Sequence, residues 1–404
     1  MSGYLQGSDT CVKIIKLRTL TPVWTGNIDR KCNRVKETGI IGSLRWWYEA
    51  LIRGLGYRAC DPTLCECKLD YDKLRRAISS GASIQDALNE QICLACQLFG
   101  CTGWSRRFKL EVNGGNLKPL FFVTSREENR WWLYKVWEYC KYAIYGDLKI
   151  VIVGPEKVVD IVSALLQLIS EYGGLGAKTQ WGFGQVKMED LRNQDKQVEK
   201  TIGELLKNIT RDVSEERMTG GEKNRRYNVK NFFCLKFKID GCNELVKYYR
   251  ESSLVVAPTR SPQFRDKQLT TSERYIPCSF DIKYRGEWRE KKFGLRWYFK
   301  EKFGKEVADR LFGYVRGAER VGGRIFVSHL YKEDNDGDFY YLKIWAFLPS
   351  CMDSKLKNIM DLRNIANEIE KHICNDVFKG GCIVPVEKTF GEEILSKIKT
   401  YSKE

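Results

Sequence analysis

Residues Gly173-Gly174-Leu175-Gly176-Ala177-Lys178-Thr179-Gln180-Trp181-Gly182-Phe183-Gly184 hold five glycines in twelve positions. Glycine weakens a helix or strand, and it is kept where the chain needs positive φ or a close approach of another backbone. Lys178, Gln180 and Trp181 stand among the glycines. They supply a cation, an amide and an aromatic face, the set that a sugar-phosphate backbone carrying an unstacked base requires. The stretch is not a nucleoside-triphosphate loop. Ala177 rather than glycine precedes Lys178-Thr179, and Trp181-Gly182-Phe183-Gly184 is no helix start. A loop whose glycines serve turn geometry alone is the competing reading.

A second group is cysteine-rich. Cys60, Cys65, Cys67, Cys93 and Cys96 fall within forty residues, with Cys101 just beyond. Cys93-x-x-Cys96 has zinc-knuckle spacing, and the other pair comes from Cys60, Cys65 and Cys67. Four thiolates in tetrahedral geometry make a closed structural Zn2+ site. The expected ligands are Cys60, Cys67, Cys93 and Cys96, with Cys65 and Cys101 as alternatives. Buried free thiols packing as small apolar groups are the rival explanation.

Basic residues form the third group. Arg30, Lys31, Arg34 and Lys36 crowd one loop, and Arg45 begins the helix expected behind it. Arg106 and Arg107, then Arg316, Arg320 and Arg324 spaced four apart, follow two Leu-Phe-Gly landmarks. Such clusters suit phosphate contact, which dominates nucleic-acid affinity in basic proteins. Trp104 and Trp181, beside glycines, are the stacking candidates. Trp46, Trp47, Trp297 and Tyr298 fit helical spacing and are expected in the core. His329 and His372 are the only histidines. His329 is therefore the one candidate base for metal-independent RNA cleavage.

The chain that must position these groups has 404 residues, 43% of them hydrophobic and 12% aromatic, and a formal charge of +16. That charge favours a polyanionic partner. There is no apolar run long enough to span a bilayer and no secretory pattern at the N-terminus. Fifteen cysteines without export point to reduced thiols or metal in the cytoplasm.

Residues 12–20 read as a strand. Leu44, Trp47, Tyr48, Leu51, Ile52 and Leu55 recur at helical spacing, with Ser43 as N-cap and Gly56 as stop. Strands are expected at 117–124, 148–153, 232–239 and 325–327, and a helix at 158–171. Residues 219–226 read as a linker and 256–277 as a long basic loop. The order is that of a ferredoxin-type α+β sandwich, and it repeats. Gly42-Ser43-Leu44-Arg45-Trp46-Trp47 is echoed by Phe293-Gly294-Leu295-Arg296-Trp297-Tyr298, and Cys96-Gln97-Leu98-Phe99-Gly100 by Asp309-Arg310-Leu311-Phe312-Gly313. The expected units are residues 1–215, with the cysteine insertion at 59–97 and the glycine loop at 173–184, and residues 230–404.

Duplicated landmarks, a Leu-Arg-Trp-Trp helix and a Gly-Gly-Leu-Gly-Ala-Lys-Thr-x-x-Gly-Phe-Gly loop resemble the RAMP superfamily of CRISPR proteins. With Phe99-Gly100-Cys101-Thr102-Gly103-Trp104-Ser105-Arg106-Arg107-Phe108 the pattern is most similar to the first RAMP subunit of type III-B (Cmr) effector complexes. The resemblance implies two tandem ferredoxin-like (RRM-like) domains in a non-catalytic subunit. It also implies a place at the head end of the complex, contacting the 3′ region of the guide crRNA, the target RNA, or both, beside other RAMP subunits. One departure is that the second copy keeps only Lys379-Gly380-Gly381 of the loop. An endoribonuclease and a protein-only scaffold are the alternative functions.

Overall fold

The computed structural model describes residues 10–61, 67–120, 122–125, 141–189, 203, 227–251, 255–256, 275–333, 336–348 and 361–403. Cys65, Cys140, the 219–226 linker and residues 257–274 of the expected loop lie outside the described residues. The ends of that loop are short strands, Val255–Val256 and Tyr275–Ile276.

The first sheet contains β1 (Thr10–Thr19), β2 (Lys109–Pro119), β3 (Tyr142–Pro155) and β4 (Val186–Met188). All pairings are antiparallel. β1 lies between β3 and β4, with Thr10 opposite Pro155 and Leu17 opposite Met188, and β2 flanks β3. The spatial order is β2-β3-β1-β4, the arrangement of a ferredoxin-type βαββαβ unit. Two long helices cross one face: α1 (Glu37–Gly54) after β1 and α3 (Glu156–Tyr172) after β3. Ile15, Leu17, Ile150 and Ile152 point into that layer and are buried, whereas Val12 and Ile14 on the other face are 59% and 49% exposed. The alternation of exposed and buried residues along β1 is what a sheet covered on one side dictates.

Helix α1 begins six residues before the expected cap. Lys36 is the N-cap, and Ser43 lies inside the helix. Gly39 and Gly42 disguise the first turns, since glycine is a poor helix former. Gly56 does follow the helix end, at φ 100°. The cysteine insertion folds as helices at Tyr71–Ser79 and Ile84–Gln91, then α2 (Leu94–Phe99).

The second sheet is built on β5 (Phe232–Asp240), β6 (Ile325–Val327), β7 (Phe339–Phe347) and β8 (Ile383–Phe390). β5 lies between β7 and β8, and β6 pairs with β7. The order β6-β7-β5-β8 repeats that of the first sheet. Helices α4 (Leu295–Phe303), α5 (Lys305–Phe312) and α6 (Leu362–His372) accompany it. This sheet is covered on both sides. Phe233, Leu235 and Phe237 belong to a second core, while Phe232, Cys234, Trp345 and Phe347 belong to the first. Burial on both faces explains the nearly continuous apolar runs of β5 and β7. The last helix, α7 (Gly391–Lys403), returns to the first core through Ile394, Leu395 and Ile398. Packing of α7 against the first core thus joins the two expected units.

The two Leu-Phe-Gly landmarks fold alike. α2 ends at Gly100 (φ 89°, ψ 157°) and α5 at Gly313 (φ 80°, ψ 165°). A Cβ at Gly313 would lie 2.4 Å from the Val321 carbonyl, and one at Gly100 2.9 Å from the Arg106 nitrogen. In each copy a returning arginine closes the turn: Arg107 N–H donates to Leu98 O (3.1 Å) and Arg324 N–H to Leu311 O (2.8 Å).

Candidate nucleic-acid interface and metal centre

The glycine loop leaves the end of α3 and folds back on the exit of β1. Leu175 N–H donates to Gly184 O, Ala177 N–H to Trp24 O and Gly184 N–H to Pro22 O, each at 2.8 Å. Gly176 N–H donates to the Ser43 hydroxyl at 2.9 Å, so Ser43 ties α1 to the loop rather than capping the helix. Lys178 sits at φ 62° in the left-handed region, a conformation that is costly for a residue with a Cβ and is held by its surroundings. Its ammonium lies 4.4 Å from the Trp181 ring centre and 5.2 Å from that of Trp24, close enough for cation–π attraction.

The second half of the chain clamps this loop. Gln180 Nε2 donates to Gly323 O (3.2 Å), Lys283 Nζ to Gln180 O (3.2 Å) and the Ser279 hydroxyl to Trp181 O (2.8 Å). Lys343 Nζ donates to Ser170 O at the end of α3, 2.8 Å away. Both lysines are buried. Burial disfavours the charged form, pushing Lys283 down to about 7 and Lys343 down to about 8. Between α1 and the loop lies a cleft of about 500 Å³. Trp46, Trp181 and Tyr227 are half-buried there, Phe326 and Trp345 are buried, and among the described residues Lys178 is the one charged residue lining it.

The expected RNA-facing residues separate under this geometry. Lys178 and Trp181 line the cleft, and so does Gln180, although its side-chain amide bridges to Gly323. Arg30 and Lys31 are exposed, Arg34 pairs with Glu37 at 3.1 Å, and Lys36 stands at the N-cap position of α1 without a side-chain cap bond. Arg106 and Arg107 are exposed. Arg106 Nε donates to Phe108 O at 2.7 Å. Trp104 is half-buried, and its indole N–H donates to Gln97 O at 2.9 Å. Arg316 and Arg320 lie on a hairpin, Tyr314–Arg316 paired with Glu319–Val321, so their spacing of four does not put them on one helical face. Arg316 pairs with Asp309 at 2.5 Å, and the Arg324 guanidinium stands 5.6 Å from the Tyr227 ring centre.

Arg45 is tied into the protein by its own bonds. Nε donates to Glu49 (2.8 Å), Nη1 to Gly100 O (2.9 Å) and Nη2 to the Cys96 sulfur (3.3 Å). Glu49 is buried and also pairs with Arg53 at 3.5 Å. The Arg45-Glu49-Arg53 ladder, at i, i+4 spacing, braces the cysteine insertion. That spacing was the available signal. Trp46 and Trp47 join the first core as expected, packing edge-on to Phe347 at 4.7 and 5.2 Å.

Cys60, Cys67, Cys93 and Cys96 are buried, and their sulfurs lie within 4.8 Å of one another. A tetrahedron with Zn–S of about 2.3 Å has S···S edges of about 3.8 Å, so the group is of the right size. Its sulfurs accept hydrogen bonds: Cys60 N–H donates to Cys93 Sγ (3.4 Å), Cys93 N–H to Cys67 Sγ (3.4 Å) and Arg45 to Cys96 Sγ. Bonds of this kind stabilise thiolates, and four thiolates need a cation. Hydrogen bonds from Cys60, Cys67 and Cys96 hold Cys93 far below the usual thiol range, while their neighbours push Cys60 and Cys96 up. Without a metal the cluster therefore resists full ionisation. Cys101 is half-buried and outside the quartet.

His329 is fully buried, and its Nδ1 accepts from Ser279 N–H at 3.1 Å. Desolvation pushes it down to about 3. It cannot reach RNA at the surface, so the base assigned to the endoribonuclease alternative is withdrawn. His372 is also internal, bonded to Asp376 and to Phe293 O and stacked on Tyr298 at 4.1 Å.

The architecture is a duplicated antiparallel α+β arrangement with a glycine loop held between its two halves. The model of the RAMP superfamily matches residues 16–187 of the chain. No curated protein matches it. Among solved structures it is similar to Cmr1 from Pyrococcus furiosus in apo form, at 14% identity and TM-score 0.42 over 93% of this chain and 98% of that one. It is similar to a chain of a type III-B Cmr-beta complex bound to cognate target RNA, at 14% identity and TM-score 0.38, over 90% and 100% of the two chains. It is also similar to Cmr6 from Pyrococcus furiosus, at 13% identity and TM-score 0.24 over 45% and 98%. These likenesses assign no role to any residue. No helix among the described residues is long and apolar enough to cross a membrane.

Proposed function

We propose that the chain is a non-catalytic RNA-binding subunit of a cytoplasmic type III-B (Cmr) CRISPR ribonucleoprotein. It contacts the crRNA 3′ region, the target RNA, or both, beside other RAMP subunits, in antiviral defence. The observation that carries this reading is the glycine loop, which holds Lys178 between two tryptophans at an aromatic cleft in a chain of charge +16. A cation and stacking faces suit single-stranded RNA taken by backbone and shape. Sequence is left to guide–target pairing, as in other guided complexes. The Cys60, Cys67, Cys93 and Cys96 quartet is the ligand set for one structural Zn2+. The domains are read as two ferredoxin-like units sharing a packed seam.

A protein neighbour is a complementary part of this reading. The open face of the first sheet exposes Val12 and Ile14, more apolar surface than an RNA backbone would select.

The test is a titration of the chain with single-stranded RNA and an equal-length duplex across a salt series, repeated with Lys178→Ala combined with Arg106→Ala and Arg107→Ala. Salt-sensitive binding to the single strand, weakened roughly tenfold or more by the triple change, is expected. Absence of binding at low salt would replace the reading with a protein-only scaffold.

A further inference from the structure

Helix α1 contains three glycines, and packing accounts for two. A Cβ at Gly39 would lie 2.7 Å from Thr25 Cγ2, and one at Gly54 3.1 Å from Leu395 Cδ1. A Cβ at Gly42 would meet nothing within 4 Å, and Gly42 is not among the positive-φ glycines. Neither backbone conformation nor a neighbour requires glycine there, yet glycine in a helix interior weakens the helix relative to alanine. The open space beside Gly42 is the aromatic cleft, which Gly42 lines together with Ser43 and Trp46.

The lining says what could fill it. Trp46, Trp181 and Tyr227 at the mouth, and Phe326 and Trp345 deeper, offer ring faces and edges. Two of the loop's backbone donors are spent, Gly176 N–H on Ser43 and Ala177 N–H on Trp24 O. Stacking faces and Lys178 are what the side chains offer for recognition there. A cavity of about 500 Å³ is in the range that encloses one small flat ligand. A second cavity, about 470 Å³ between Lys230 and α7, has no aromatic lining among the described residues.

We propose that this cleft takes a single unstacked nucleobase of the bound RNA, with Gly42 leaving room for it against the backbone of α1 and Lys178 meeting the adjoining phosphate. This rests on the RNA reading above and adds that one nucleotide leaves the stack at a fixed place on the protein. Gly42 is the residue that admits it.

The full chain is titrated with a short single-stranded RNA carrying 2-aminopurine at each position in turn, as wild type, Gly42→Ala and Gly42→Leu. In the wild type, fluorescence should change sharply at one position. Gly42→Leu should abolish that change and weaken RNA binding by roughly tenfold, the scale of one lost stacking contact. Gly42→Ala should fall between. Melting temperatures of both variants should be unchanged or higher. A lower melting temperature for Gly42→Ala would make the glycine structural and overturn the proposal. RNA binding with no position-specific signal, or unaffected by Gly42→Leu, would overturn it while sparing the RNA-subunit reading. Failure of the wild type to bind RNA would overturn both.

Discussion

The two Leu-Phe-Gly turns share a backbone and differ in how they are braced. In the first copy Arg45 reaches Gly100 O and the Cys96 sulfur. In the second, Arg296, its counterpart in the repeated Leu-Arg-Trp helix, reaches Asp309 at 2.5 Å, and Asp309 stands where the first copy has Cys96. Each turn thus sets an arginine against an acidic side chain. A carboxylate supplies the charge unaided. A thiol supplies it only once ionised, which a bound metal ion would favour. The comparison teaches that the first turn is conditional and the second is self-sufficient.

Breaking the conditional brace should have the largest effect. The purified chain should carry one zinc by elemental analysis, and Cys93→Ser or Cys96→Ala should abolish it. Chelation should lower the melting temperature of the wild type markedly and leave the Cys96→Ala variant unchanged. A wild type that carries no metal and ignores chelators would end the distinction between the two turns. In the presence of chelator, Cys96→Asp should be more stable than Cys96→Ala, because it copies the second turn's anion opposite Arg45.

Next in size is the self-sufficient brace. Arg296→Met leaves Asp309, which is 3% exposed, with Arg316 alone. Stability measured by denaturant should fall by up to about 3 kcal/mol, as when a buried ion pair loses one member, and chelator should not alter the loss.

The seam between the copies gives a smaller, pH-dependent effect. Lys283, pushed down to about 7 by burial, binds fewer protons folded than unfolded between pH 7 and its ordinary range near 10.5. Stability from this group therefore rises with pH across that window, and its full penalty applies below pH 7. Lys283→Met should raise stability at pH 6 and flatten the rise, as read by melting curves across pH. The smallest stability effect belongs to Arg107, exposed where its counterpart Arg324 lies near Tyr227. Arg107→Ala should leave melting unchanged and reduce the salt dependence of RNA binding by about one phosphate contact. Arg324→Ala should lower the melting temperature.

What the sequence revealed follows from locality. β1, α3 and the strand order were readable because their apolar periods lie within short windows. The four cysteines that meet were readable from the Cys93-x-x-Cys96 spacing and from the insertion that carries them. The start of α1 was hidden by Gly39 and Gly42. The bonds of Arg45 were not legible, because a basic residue near a helix start looks the same whether it faces phosphate or a sulfur fifty-one positions away. The cleft was legible only in part, through Lys178, Gln180 and Trp181. Tyr227, Phe326 and Trp345 come from the other half of the chain, and no local pattern connects them to the loop.

The return of α7 to the first core sets the order in which the protein can mature during synthesis. Leu395 packs on Gly54, and Ile394 and Ile398 join a core whose members reach back to Ile15. A nascent chain that has not yet delivered residues 391–398 holds that apolar surface uncovered, and exposed surface of this kind invites aggregation before folding is complete.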